Sequence, residues 1–154
     1  MRKTYRILAD IIAIEVVIQA MMIVFAVAGL FHWIDGGATL DQSVIDGWED
    51  DPPTWQGAIG HFIHVMNGQF LIPLLGLALL IVSFFAAVPR GTMLAAVILV
   101  SIIVQVAAGI IAGSAPWVGL IHGLNAFILF GAALTAAKAS KPEAAAQPAA
   151  AAPA

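Results

Sequence analysis

The sequence predicts an all-α integral membrane protein, a bundle of four spanning helices, and three observations predict it. Of 154 residues 62% are hydrophobic and 10% charged, with a mean hydropathy of +1.00, whereas soluble domains carry about 25% charged residues. Four apolar runs each reach the length of about 20 residues that a helix needs to cross a hydrocarbon core. All six basic residues fall where a four-span chain brings them to one side. The length allows one small domain, and the absence of cysteine removes disulfides, iron–sulfur clusters and thiolate metal sites.

Residues 1–6 are a basic N-terminus, followed by a first span over 7–31. The basic start, apolar run and Ala26-Val-Ala28 resemble a cleaved signal peptide, but Asp10 and Glu15 interrupt what should be a short uninterrupted apolar core. The run is therefore read as a span of the mature protein. The connection 32–56 is the one long loop, with six of the nine acids (Asp35, Asp41, Asp46, Glu49, Asp50, Asp51) and three of the four tryptophans. Leu40, Val44 and Trp48 follow an i, i+4, i+8 stripe, which suits either a short amphipathic helix on the membrane surface or an irregular acidic loop.

The second span covers 57–88 and the third 92–113, broken apart by Pro89, Arg90 and Gly91. The fourth covers 117–137 after Gly113-Ser-Ala-Pro116, where Ser114 is a candidate helix N-cap. Residues 139–154 form an Ala/Pro-rich tail with too little bulky apolar surface to pack, expected to be a disordered cytoplasmic segment. Arg2, Lys3, Arg6, Arg90, Lys138 and Lys141 share one side, which the positive-inside rule makes cytoplasmic, with both termini there, in the plasma membrane. Trp33, Trp48, Trp55 and Trp117 mark the outer interface.

The second and fourth spans share a pattern, His64-Val-Met-Asn67-Gly68 against His122-Gly-Leu-Asn125-Ala126, and the first and third share Gln19 against Gln105. Two parallel two-helix repeats, related by an axis along the membrane normal, would explain this. His64 lies five residues after Ile59, where the second span becomes continuously apolar, and His122 five after Trp117, so at about 1.5 Å per residue both sit roughly 7 Å below the outer interface. Polar groups are costly in hydrocarbon and usually face the bundle interior. Two neutral imidazoles at one depth suit the axial positions of haem iron without adding buried charge.

In this reading haem b is held by His64 and His122. The second ring nitrogen of each histidine donates to a carbonyl one turn earlier, and Asn67 and Asn125 steady neighbouring helices or the haem edge. Hydrogen-bonding glue between helices is the competing role for all four residues. His61 shares the face of His64, and with His32 forms an outer cluster for propionates, protons or a non-haem metal. Glu15 is expected to be protonated or hydrogen-bonded inside the bundle, and Asp10 to pair with Arg6.

On His61-Phe-Ile-His64 and His122, the layout resembles one four-helix half of the haem A synthase family. There each half carries a histidine on its second and fourth helices and a glutamate three residues before the first. His64 and His122 fall on the histidine positions, and His61 falls on the glutamate position. Val65 stands where an arginine often follows, the cysteine pair of many members is missing, and one half is present. The resemblance thus implies haem binding more than the family's methyl-group oxidation.

The expected function is a small haem protein for electron transfer or haem handling near the outer face, without catalytic activity of its own. Two alternatives stand beside it. One is a non-enzymatic accessory or assembly subunit of a respiratory complex, and the other an outward-facing divalent-metal site at His32, His61 and His64. Gly109-x-x-x-Gly113 and Gly119-x-x-x-Gly123 offer small-residue faces for a homodimer or for packing within the chain. No phosphate loop, Ser/His/Asp arrangement or basic nucleic-acid surface is present in the sequence.

Overall fold

A computed structural model describes residues 1–48, 50–52 and 54–141 and contains, among them, helices and turns but no strand. Helix α1 runs Arg2–Asp35, α2 Gln42–Asp46 and α3 Ala58–Met66; a π-helical turn over Asn67–Leu71 leads into α4 at Ile72–Ser83, then α5 Gly91–Ala112 and α6 Val118–Ala139. The α3, π and α4 segments form one continuous helix, Ala58–Ser83, so four helices are long and apolar enough to cross a membrane. The Ala/Pro-rich tail lies outside the described residues from 142 onward.

The four long helices run up and down. One end of the bundle carries the N-terminus, the 84–90 turn and the end of α6; the other carries the 36–57 loop and the 113–117 turn. They are called here the termini end and the loop end. Around the bundle, α1 packs on α3, α4 and α6, while α5 packs on α4 and α6. The second span and α6 therefore stand on the diagonal.

Several boundaries differ from the apolar runs because local hydrogen bonding, and not hydrophobicity, ends a helix. The α1 helix exceeds the 7–31 run at both ends, since its basic first turn and Trp33–Asp35 continue the backbone ladder. The second span stops at Ser83, short of 88, because Ala87 and Arg90 adopt positive φ values of 48° and 56° in the turn that follows. Ser114 is not the N-cap of α6. Its hydroxyl donates back to the Ile111 carbonyl at 3.1 Å, and α6 starts from Trp117 without a side-chain cap.

The π turn has a visible cause. The Ile72 N–H reaches the Asn67 carbonyl five residues back, and the next residue, Pro73, has no N–H to restore the ordinary ladder. In the long loop, the Leu40–Trp48 stripe yields one turn of helix. The Asp41 carboxylate caps it, accepting from the N–H groups of Ser43 at 2.9 Å and Val44 at 3.2 Å and from the Ser43 hydroxyl at 2.6 Å. These bonds, the Ser43 hydroxyl foremost, hold the Asp41 carboxyl below the usual carboxylate range.

Packing is uneven along the bundle. The buried apolar cluster joins Tyr5, Ala9, Ile12, Leu79, Ile98, Ile102, Leu129 and Ala133, filling the half nearer the termini end and reaching mid-helix at Ile102 and Leu129. There the Tyr5 hydroxyl donates to the Gly91 carbonyl at 2.9 Å, tying α1 to the start of α5. At the loop end the tie is different: Trp55 is buried and its indole N–H donates to the Ala26 carbonyl at 3.3 Å. Gly57, at φ +106°, lies so close to α1 that a Cβ would stand 2.5 Å from the Phe25 carbonyl oxygen. Outward, large apolar side chains such as Leu120 and Phe127 are 78% exposed, a surface compatible with surrounding hydrocarbon.

Candidate functional site

The helix rotations that bury the apolar cluster also turn a set of polar side chains inward, just on the loop side of it. His64 on α3 and His122 on α6 face each other across the diagonal, ring centroids 6.1 Å apart and planes at 54°. Both are half-buried. The Nδ1 of His64 lies 3.1 Å from the Gln19 carbonyl oxygen, and the Nδ1 of His122 lies 3.0 Å from that of Gln105. A carbonyl can only accept, so both imidazoles donate from Nδ1, an arrangement that in the neutral form leaves the lone pair on Nε2. The acceptors belong to the neighbouring helices α1 and α5, which corrects the expectation of a carbonyl one turn earlier on the same helix.

Each asparagine sits one turn deeper than its histidine and bonds the same neighbouring helix. Asn67 donates through Nδ2 to Glu15 Oε2 at 3.2 Å. Asn125, 7% exposed, donates to the Ser101 carbonyl at 2.8 Å and to Gln105 Oε1 at 2.6 Å, and its Oδ1 accepts from the Ser101 hydroxyl at 2.9 Å. The asparagines thus steady neighbouring helices, and Glu15 is hydrogen-bonded inside the bundle as its sequence context suggests. Gln19 differs from Gln105: its Nε2 is buried without a hydrogen-bond partner.

Two participants escaped the sequence reading. Ser101 stands four residues before Gln105 as Glu15 stands four before Gln19, a spacing that could have found it. Gly109 lies against the His122 ring, where a Cβ would approach Cε1 and Nδ1 at 3.2 Å. It was visible only as part of a small-residue pattern, and here that pattern serves an imidazole within the chain.

The outer histidines do not join this pair. His32 and His61 are exposed, and His61 instead lies beside Trp48 at 5.6 Å between ring centres. Trp48 in turn packs edge-on against Trp55 at 5.0 Å, and Trp33 lies 6.0 Å from Trp55. Among the described residues no three histidines or carboxylates converge as a metal-binding group, so the His32/His61/His64 site is not assembled. Arg6 and Asp10 pair at 3.6 Å, with both side chains nearly half exposed, a contact of at most about 1 kcal/mol. All four tryptophans and the described loop acids lie toward the loop end, and all six basic residues toward the termini end. No protein-family model, curated protein or solved structure matches this chain.

Proposed function

We propose that the chain is a small multi-pass membrane protein that binds one b-type haem through His64 and His122, for electron transfer or haem handling near the outer face. The observation that carries this is the 6.1 Å between the imidazole centroids. Two imidazoles in trans on one metal, with metal–nitrogen bonds of about 2.1 Å and roughly 1.1 Å from nitrogen to ring centre, lie about 6.4 Å apart. A direct N–H···N bond of about 2.9 Å would draw the centroids to about 5.1 Å. The spacing is thus nearer that of a shared metal than that of a direct hydrogen bond between the two rings, and the interhelical Nδ1 bonds that both histidines make would leave Nε2 as the free donor in the neutral form.

Two further features support the reading. Ligand rings held by second-nitrogen hydrogen bonds are the usual design of metal-bound histidine, and the Gln19 and Gln105 carbonyls would do this. The buried apolar cluster includes neither histidine and lies mainly on their termini side, which leaves their level to polar and small side chains such as Gln19, Gln105 and Gly109. His61, one turn nearer the loop end, would stand beside the propionates. The matched His–Gln and Asn contacts of the two helix pairs also favour an internal parallel repeat, and with it the resemblance to one half of haem A synthase.

In this reading the termini end is cytoplasmic, because it gathers every basic residue, and the membrane is the plasma membrane. The exposed Asp35, Asp46, Asp50 and Asp51 would then face outward. They favour a second role as an accessory subunit meeting a basic partner in a respiratory complex. The test is spectroscopic. Purified protein is expected to show a Soret band of low-spin bis-imidazole type, and that low-spin type is expected to vanish in both His64→Ala and His122→Ala.

A further inference from the structure

Building on the haem reading above, we infer that the two axial ligands are unequal: His122 is the fixed anchor and His64 the exchangeable side, which yields to a neutral diatomic ligand of the carbon monoxide class. The carbonyl bonds of the two histidines are alike, 3.1 and 3.0 Å. What surrounds them is not.

Behind His122 the hydrogen bonding is closed. Asn125 makes three bonds of 2.6 to 2.9 Å that clamp α6 to Ser101 and Gln105 of α5. Gly109 lies against the His122 ring on the same helix pair. Helix α6 also packs on both α1 and α5, so a shift of His122 would disturb two helix contacts and a saturated buried network.

Behind His64 the hydrogen bonding is open. Asn67 makes one bond, to Glu15 at 3.2 Å, and Gln19 Nε2, beside the carbonyl that holds His64, has no partner. Helix α3 packs chiefly on α1. The π turn begins at Asn67, three residues after His64, whereas α6 is regular throughout. A π turn holds one residue of slack in the ladder, which is why such turns recur at functional sites. It lets α3 move while α4, in the apolar cluster, stays in place.

With haem bound, His64 Nε2 would release ferrous iron while keeping its lone pair, and the carbon lone pair of carbon monoxide would take its place, so no proton or electron would move. His64 would stay on the Gln19 carbonyl or swing away with α3, and His122 would keep hold of the haem.

The experiment uses the full-length protein purified from haem-replete cells, reduced with dithionite and titrated with carbon monoxide while the Soret band is followed. The wild type is expected to shift saturably. His64→Ala is expected to keep its haem in a five-coordinate form and bind the gas about tenfold more tightly, because no ligand has to leave. His122→Ala is expected to lose haem, with the 10- to 100-fold weakening typical of a damaged metal site as a lower bound. If either variant fails to fold by size exclusion, Asn67→Ala and Asn125→Ala replace the pair, the first raising gas affinity and the second lowering haem retention. A wild-type spectrum unmoved by saturating gas, or haem held equally or better by His122→Ala, overturns the inequality of the ligands. A wild type with no Soret band at all overturns the haem reading itself, and the inequality with it.

Discussion

The two halves of the bundle along its axis are built from similar helices and do different work. Toward the termini end, Tyr5, Ile12, Leu79, Ile98, Ile102 and Leu129 are fully or almost fully buried and interlock. At mid-bundle Ser101 and Glu15 interleave with the last of the apolar cluster, and toward the loop end it gives way to two histidines, two asparagines and two glutamines. The first half supplies most of the apolar packing between the helices, and the second carries most of the polar contacts between them. Under the proposed haem reading, packing and chemistry would be separated along the helix axis.

The largest expected effects test that separation. Leu79→Ala or Ile98→Ala should cost about 2–5 kcal/mol of stability, the range for cavities left in a packed core, while haem bound per folded molecule stays unchanged. Thermal melts in detergent, read beside haem content, check both numbers. If the core variants shed haem while still folded, the two halves are not separate.

Next in size is the contrast between the asparagines. Asn125→Ala strands the Ser101 and Gln105 polar groups and should cost about 1–3 kcal/mol, against about 0.5–1.5 kcal/mol for Asn67→Ala, which removes one longer bond. Denaturation midpoints of the two variants measured side by side would reveal equal losses if the closed and open networks were in fact equivalent.

A smaller contrast concerns glycines. Gly109→Ala places a methyl group 3.2 Å from the His122 ring, so the ring must yield by a few tenths of an ångström, at a cost of about 1 kcal/mol. Gly123 has no atom within 4 Å of an added Cβ, and Gly123→Ala should stay within about 0.5 kcal/mol of wild type. Melting temperatures suffice to rank them.

The smallest effect lies outside the bundle. The Asp41 carboxyl is held below its ordinary range by Ser43 and Val44, so its capping contribution is fully present above the ordinary carboxylate pKa. It is lost as pH falls through the lowered value. Amide protection at Ser43 and Val44, taken relative to the intrinsic exchange rate at each pH, should fall on acidification through that window and show no such fall in Asp41→Ala, with the rest of the protein unaffected.

Much of this was legible in one dimension. Apolar run length gives the four helices, and the matched His-x-x-Asn segments name the residues that meet. Helix ends were less legible: residues 84–88 are as apolar as the helix before them, yet the helix stops at Ser83 and Ala87 turns at positive φ before the Pro89-Arg90 break that the sequence announces. Ser114 carries the chemistry of an N-cap, but its hydroxyl is used on the Ile111 carbonyl behind it and α6 starts without a side-chain cap. The acceptors for the histidines depend on how α1 and α5 are rotated about their axes. Sequence spacing along α3 and α6 does not encode that rotation, which is why the neighbouring-helix carbonyls and Ser101 emerge only in three dimensions.

The central claim is that the His64 and His122 imidazoles share one haem iron. Its most direct measurement is the absorption spectrum of the purified full-length protein from haem-replete cells. The account predicts a low-spin, bis-imidazole haem spectrum at about one haem per chain; a chain that purifies folded and monodisperse with no Soret absorbance would contradict it.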